Sequence, residues 1–381
     1  MKRTLFTNGL VYVGDRFQPL DLLVQDGRIA GFPGPGARAD EVVDLKSRML
    51  VPGFLDLHTH GGDGVDVNAA TAEDLAKIGR FFAKNGTTGW LCSILTDTPE
   101  QTLWCIRQAR EAMDAPITGA RLMGIHLEGP FLAPEYKGAM PEHLLQKGSA
   151  ELFRKYQAAA DGAVRYMTVS PEVEGVVEMI GEIAGHITVA IGHSGADYET
   201  ACAAIDAGAA ACTHTFNAMG LFHQHRPAIM GAVLERPVMC EAICDGRHLH
   251  PGSVRMLLAC KGWDRVVAVT DSIQAAGLPD GRYKLGVNDV VVEDGDAKLA
   301  SNGVRAGSTL TTGQALKNLV QFTGEPVERV LPLLTRNPAR LIGMDHRKGS
   351  IAPGKDADLV ILDGKLNVTA TYVAGVCVYA E

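Results

Sequence analysis

From residue 49 to residue 271 the chain alternates short apolar runs, each stopped by a polar residue, with stretches of helical periodicity. The runs stop at 56–60, at 91–95, at Glu128, at Val169-Ser170, at His193, at His214, at Asp245 and at Asp271. Helical patterns lie between them at 72–84, 100–113, 142–160, 173–184, 198–207 and 251–261, and the link from the sixth run to the seventh is shorter and less regular. Eight strands with mostly helical connections predict an α/β fold, a (β/α)8 TIM-like barrel, whose function gathers at the C-terminal strand ends. The flanks read differently. Runs at 4–7, 10–13, 20–25 and 28–31, with an Asp26-Gly27 hairpin signal and a loop at 32–36, predict a small β unit. After the eighth strand come a hairpin-like insert at 281–299 and helices at 309–322, at 326–334 and from Asn337. From 349 the β texture returns, at 358–363 and at 368–379 around a turn at Ala374-Gly375. The two ends pair as a β-sandwich, so residues 1–50 and 349–381 form a small β domain beside a barrel over 51–348.

The strand ends carry the candidate chemistry. In Gly124-Ile125-His126-Leu127-Glu128-Gly129-Pro130, His126 and Glu128 share one face, with Glu128 last before the turn. A buried carboxylate needs a partner, either an ion pair or a metal. His58 and His60, two apart on the first strand, aim at one side, as suits a metal centre. His193 and His214 end later strands. Nitrogen and carboxylate donors without thiolates favour catalytic Zn²⁺, with Fe²⁺ next, over Mg²⁺ or Ca²⁺. Asp271 closes the eighth strand, where it either caps the following loop or accepts a proton from an activated water.

Composition narrows the partners. With 46% hydrophobic and 21% charged residues, the 381-residue chain has material for a large core. A net charge of −8 argues against a nucleic-acid or anionic-membrane surface, while a local positive pocket stays open. No apolar core follows Lys2-Arg3 as a signal peptide requires, and no uninterrupted apolar run is long enough to span a membrane. Eight cysteines scattered through apolar segments indicate reduced thiols and a cytoplasmic protein. Cys240 and Cys244 share a strand face at a separation too wide for one ion.

Taken in order, His58-x-His60, His126-Leu127-Glu128-Gly129-Pro130-Phe131, Gly192-His193-Ser194, Thr213-His214-Thr215-Phe216-Asn217-Ala218-Met219, Asp245-Gly246-Arg247-His248 and Thr270-Asp271 resemble the N-acetylglucosamine-6-phosphate deacetylases of the amidohydrolase superfamily. Gly307-Ser308-Thr309-Leu310, Asn337-Pro338-Ala339-Arg340 and residues 349–358 extend the resemblance over nearly the whole chain. It implies Glu128, His193 and His214 as ligands of a required divalent ion, with His58 and His60 as a second site bridged by Glu128. It implies Asp271 as general base and acid, and homodimers in which an arginine reaches the partner's phosphate pocket. Asn217, Ala218, His248, Ala306 and Gly307 would contact the amino sugar, beside Ala139 and Met140.

Two positions depart from the family pattern, both at substrate contacts. Where the family reads Lys-Gly-Ala-His, this chain reads Lys137-Gly138-Ala139-Met140, and a thioether cannot donate a hydrogen bond to a carbonyl. His143 is the nearest candidate to replace that imidazole. Where the family reads Arg-Glu-Pro-Gly, this chain reads His225-Arg226-Pro227-Ala228. The expected activity is removal of acetate from N-acetyl-D-glucosamine 6-phosphate. The galacto epimer is an alternative, since 280–285 is similar to that subgroup. A related N-acyl amino sugar without phosphate is another, and a non-catalytic binding barrel a remote third.

Overall fold

The computed structural model describes residues 2–34 and 36–381. The expected loop at 32–36 includes Pro35, which with Met1 lies outside the described residues. Eight strands stand side by side in chain order and all parallel: Phe54–Asp56, Thr87–Leu95, Arg121–Glu128, Val164–Val169, Thr188–Ile191, Ala211–Cys212, Met239–Ile243 and Val266–Val269. Every residue of Thr87–Leu95 is buried, as a parallel strand covered on both faces requires.

Side chains and loop backbone close the barrel between the first and eighth strands. The Thr270 hydroxyl donates to Asp56 Oδ2 at 2.6 Å, and the Thr270 N–H to Asp56 Oδ1 at 3.2 Å. One step on, the Asp271 N–H donates to the His58 carbonyl at 2.8 Å, and the His60 N–H to the Ser272 carbonyl at 2.7 Å. Burial pushes the Asp56 carboxyl up to about 6 against those hydrogen bonds. The seam therefore ties together the two strand ends that carry His58, His60 and Asp271.

Helices fill the connections, with two differences from the sequence pattern. The expected helix over 142–160 begins only at Ala150, because the Ser149 side chain caps it by accepting the Leu152 N–H at 3.1 Å. Just before the cap, Gly148 passes the Gly175 backbone so closely that a Cβ would lie 2.4 Å from its carbonyl carbon. The link between the sixth and seventh strands is not irregular throughout: it holds a helix, Ala228–Glu235. Ile229, Met230, Ala232 and Val233 of that helix are buried, and with so few polar positions it shows no amphipathic period.

Both ends of the chain contribute to two further sheets. One orders Arg28–Gly31, Leu22–Gln25, Arg3–Thr7 and Glu41–Asp44. The other joins N-terminal Leu10–Val13, Arg16–Gln18 and Met49–Pro52 to C-terminal Leu359–Leu362, Val368–Val373 and Val376–Ala380. Phe6, Leu22 and Val24 from the first sheet and Leu50, Leu359 and Tyr372 from the second share one apolar core. Phe6 meets the Tyr372 ring edge-on, with centroids 5.0 Å apart. Gly53 links the strand Met49–Pro52 to the barrel, and a Cβ there would lie 2.1 Å from Thr88 Oγ1. The insert after the eighth strand is a three-stranded sheet, Gly281–Leu285, Asn288–Glu293 and Asp296–Leu299, where a hairpin-like loop was expected. No helix among the described residues is long and apolar enough to cross a membrane.

Candidate active site

Three of the strand-end residues stand in left-handed backbone: His193 at φ 49°, His214 at φ 27° and Asp271 at φ 49°. Such conformations cost energy in residues with a Cβ and cluster at functional sites. Glu128 ends the third strand in ordinary strand conformation.

The side chains meet in two adjoining groups, Glu128 with His193 and His214, and His58 with His60 and Asp271. Within each group the donor atoms lie within 4.8 Å of one another, and all six residues are buried. His193 Nε2 is 3.1 Å from Glu128 Oε1 and 2.9 Å from His214 Nε2. His60 Nε2 is 3.2 Å from both Glu128 Oε2 and Asp271 Oδ1, and His58 Nε2 is 3.3 Å from Glu128 Oε1. Glu128 thus touches both groups.

The outer nitrogens of three rings are occupied. His193 Nδ1 donates to the Tyr136 carbonyl at 2.7 Å and His60 Nδ1 to the Ser93 carbonyl at 3.0 Å. His58 Nδ1 donates to Glu241 Oε2 at 2.9 Å. A neutral ring held in this way turns its Nε2 lone pair toward the carboxylate oxygens of Glu128 and Asp271. Lone pairs facing carboxylates at about 3 Å repel unless positive charge lies between them. Imidazole and carboxylate donors at this spacing fit a divalent cation.

The charges answer one another in the same sense. Burial alone would push the Glu128 carboxyl up, yet the imidazoles of His58, His193 and His214 hold it well below the usual carboxylate range. Asp271 is likewise lowered against its burial, by His58 and His60. Burial disfavours a charged His60, but Asp271 and Glu128 push it up to about 9, so with no cation between them the ring itself takes up the positive charge the carboxylates call for.

A cavity of about 230 Å³ opens onto this cluster, and most residues expected to meet substrate line it. Its lining includes Ala139, Met140, Asn217, Ala218, His248, Ala306 and Gly307. His248 Nδ1 donates to Asp245 Oδ2 at 2.7 Å, which fixes the ring. His225 and Arg226 are not brought to this cavity. They are exposed on the loop after the sixth strand, beside exposed Leu221 and Phe222. His143 is exposed in the short turn Glu142–Leu144 and does not line the cavity, so it does not replace the imidazole absent at Met140. A larger cavity of about 380 Å³, bordered by Arg121, Lys348 and Asp356, contains none of these residues.

Two contributors were absent from the sequence reading. Glu241 is wholly buried in the seventh strand, where its Oε2 accepts from His58 Nδ1 and, at 3.0 Å, from the His214 N–H. Its signal was a lone carboxylate inside the otherwise apolar run 239–243. Arg305 is the one Lys or Arg among the described residues lining the cavity, and it pairs with Asp296 through Nε at 2.7 Å and Nη2 at 2.9 Å. Nothing in its local sequence distinguishes it from a surface arginine.

Comparison with known proteins places this geometry in a family. The sequence model of the Amidohydrolase family matches residues 49–378. The N-acetylglucosamine-6-phosphate deacetylase of Bacillus subtilis is 35% identical over 86% of this chain and 84% of its own length. The N-acetylgalactosamine-6-phosphate deacetylase of Escherichia coli O157:H7 is 33% identical, with 93% of each covered. Among solved structures, a mutant N-acetyl-D-glucosamine-6-phosphate deacetylase from Mycobacterium smegmatis, in complex with N-acetyl-D-glucosamine-6-phosphate, is 32% identical and superposes over the whole of both chains with a TM-score of 0.93. The chain therefore belongs to the amidohydrolase family, in the branch that holds these deacetylases, and is a hydrolase acting on an amide.

Proposed function

We propose that this protein removes acetate from N-acetyl-D-glucosamine 6-phosphate, giving glucosamine 6-phosphate. The observation that carries this reading is the convergence of Glu128, four imidazoles and Asp271 on a cavity bordered by Asn217, Ala218 and His248. Glu128, His193 and His214 would hold the required divalent ion, with Zn²⁺ favoured over Fe²⁺ by the nitrogen-rich donor set. His58 and His60 would hold a second ion. Such a cation supplies Lewis-acid activation of water and of the amide carbonyl.

The chain's own groups do the rest. Asp271, held as a carboxylate, accepts the proton of the attacking water and returns it to the departing amine nitrogen. The C–N bond breaks, and acetate and the amino sugar leave. His248, fixed through Nδ1 by Asp245, presents Nε2 to a sugar hydroxyl. Asn217 and Ala218 meet the phosphate side of the sugar, and Ala306 and Gly307 present backbone to it. The exposed loop with Leu221, Phe222, His225 and Arg226 supports a homodimer in which that loop reaches the partner's cavity. The localisation that fits this chemistry is the cytoplasm.

Purified protein should release acetate from N-acetyl-D-glucosamine 6-phosphate and lose that activity on chelation. Asp271→Asn should lower kcat by roughly two to four orders of magnitude, and an unchanged kcat would remove Asp271 from the mechanism. The galacto epimer is the second reading. Leu285, last residue of the 280–285 stretch that resembles that subgroup, lines the cavity. Acetate release from the two epimers, each with and without the 6-phosphate, decides between the readings and shows whether phosphate is read at all.

A further inference from the structure

The cavity has two chemically different halves. Asn217, His248 and Arg305 bring polar side chains from the loops after the sixth to eighth strands. The lining also holds an apolar group, Leu95, Ala139, Met140 and Leu285, from the end of the second strand, the loop after the third, and the inserted sheet. These apolar residues belong to a cluster of their own, distinct from the barrel core.

No side chain in the apolar half offers a hydrogen-bond donor, and the Met140 sulfur is a weak acceptor. Its carbonyls are already engaged. Leu95 donates to and accepts from the Asn68 side chain, at 2.9 and 3.2 Å. The Ala139 carbonyl accepts from Asn288 Nδ2 at 2.7 Å, and the Met140 carbonyl from Lys137 Nζ at 3.2 Å. The Met140 N–H donates to the Lys137 carbonyl at 3.0 Å. A hydroxyl carried into this half would lose its water and meet no side-chain donor and only carbonyls that already accept a hydrogen bond.

An amide held at the metal cluster has two substituents to place. The hydroxylated, phosphorylated amine side matches the polar half, which leaves the acyl group for the other. We infer that Leu95, Met140 and Leu285 form an acyl subsite that admits unsubstituted alkyl acyl groups and rejects hydroxylated ones. The inference rests on the deacetylase reading and adds the acyl specificity. No further reactant is needed: water adds to the acyl carbon, the C–N bond breaks, and the amine and a carboxylate leave.

The test compares kcat/KM of the metal-loaded protein on N-acetyl-, N-propionyl- and N-glycolylglucosamine 6-phosphate. Propionyl and glycolyl are close in size and differ by a methyl against a hydroxyl, so their ratio isolates polarity. The propionyl compound should be preferred by about tenfold or more. A glycolyl compound turned over as well as the propionyl one overturns the subsite, even if acetate is released normally. Release from none of the three overturns the deacetylase reading and the subsite with it. Met140→His restores a donor at this wall and should narrow the propionyl-to-glycolyl ratio, and an unchanged ratio in a folded variant counts against the assignment. The wild-type ratio decides the matter should that variant fail to fold.

Discussion

Glu241 shows how much a single buried carboxylate can govern at the residue scale. It lies beneath the candidate ligand cluster, where one oxygen takes hydrogen bonds from the His58 ring and from the backbone of His214. It thereby fixes which nitrogen of His58 faces Glu128 and Asp271, and carboxylate–imidazole contacts of this kind typically set metal affinity by about 10- to 100-fold. Glu241→Gln preserves the shape but removes the charge. The variant should keep its far-UV circular dichroism while its metal content after dialysis against a competing chelator falls by about that factor. Retention of metal at the wild-type level would make Glu241 a packing residue. His126 is a useful contrast. It shares a strand face with Glu128, yet its two nitrogens are taken up by the hydroxyls of Ser93 and Thr168, both at 2.9 Å, so it is a satisfied core histidine.

Among elements, the segment entering the C-terminal strands is tied down by charge. Arg347 Nη2 lies 3.0 Å and Lys348 Nζ 3.2 Å from Asp356 Oδ2, and Lys348 also pairs with Asp358. Burial would push the Asp356 carboxyl up, but Lys348 and Arg347 hold it below its ordinary value. The native state therefore binds fewer protons there than the unfolded chain. The stabilisation is full above a pH of about 4 and is lost as pH falls further. Asp356→Asn should lower stability at pH 7 by about 1 kcal/mol, because solvent screens the exposed Arg347 and the buried Lys348 keeps Asp358 as a partner. In urea titrations at pH 7 and pH 3 the gap between variant and wild type should shrink at the lower pH. A gap that widens there would contradict the assignment.

Element boundaries also show where sequence periodicity fails. Ala228–Glu235 was hidden because every residue but Gly231 and Glu235 is apolar, leaving no contrast between faces in the sequence. The helix expected from residue 142 was too long because three-residue spacing continues through Pro141–Leu145, while Gly148 and the Ser149 cap set the true start.

For the whole molecule, the second sheet makes the barrel depend on the far end of the chain. The strand Met49–Pro52 runs through Gly53 into the first barrel strand, and it pairs antiparallel with Leu359–Leu362. Phe6, fully buried against Tyr372, anchors the core between the sheets. Phe6→Ala should cost about 3–5 kcal/mol in thermal or chemical denaturation. Truncation after residue 358 removes three of the six strands of that sheet. It should give aggregated protein in size-exclusion chromatography, because it leaves the edge of Met49–Pro52 unpaired. A monodisperse, folded truncation would show that the barrel stands alone.

Local pattern along the chain was enough to reveal the eight-strand order and the identity of the strand-end residues. Each parallel strand is a local apolar run that ends where the chain emerges, so Glu128, His193, His214 and Asp271 announce themselves at those ends. It also determined that both chain ends are β and that the donor set is nitrogen and carboxylate. Folding in three dimensions settled what depends on distance between segments remote in sequence. It set Glu128 between two groups of candidate ligands, put Glu241 beneath His58, placed Arg305 at the cavity and left His225, Arg226 and His143 away from it. It also gave Met140 its apolar company from the second strand and the inserted sheet. Periodicity reports the face a side chain takes within its own element. Which faces meet is fixed by closing the barrel, and that requires every strand at once.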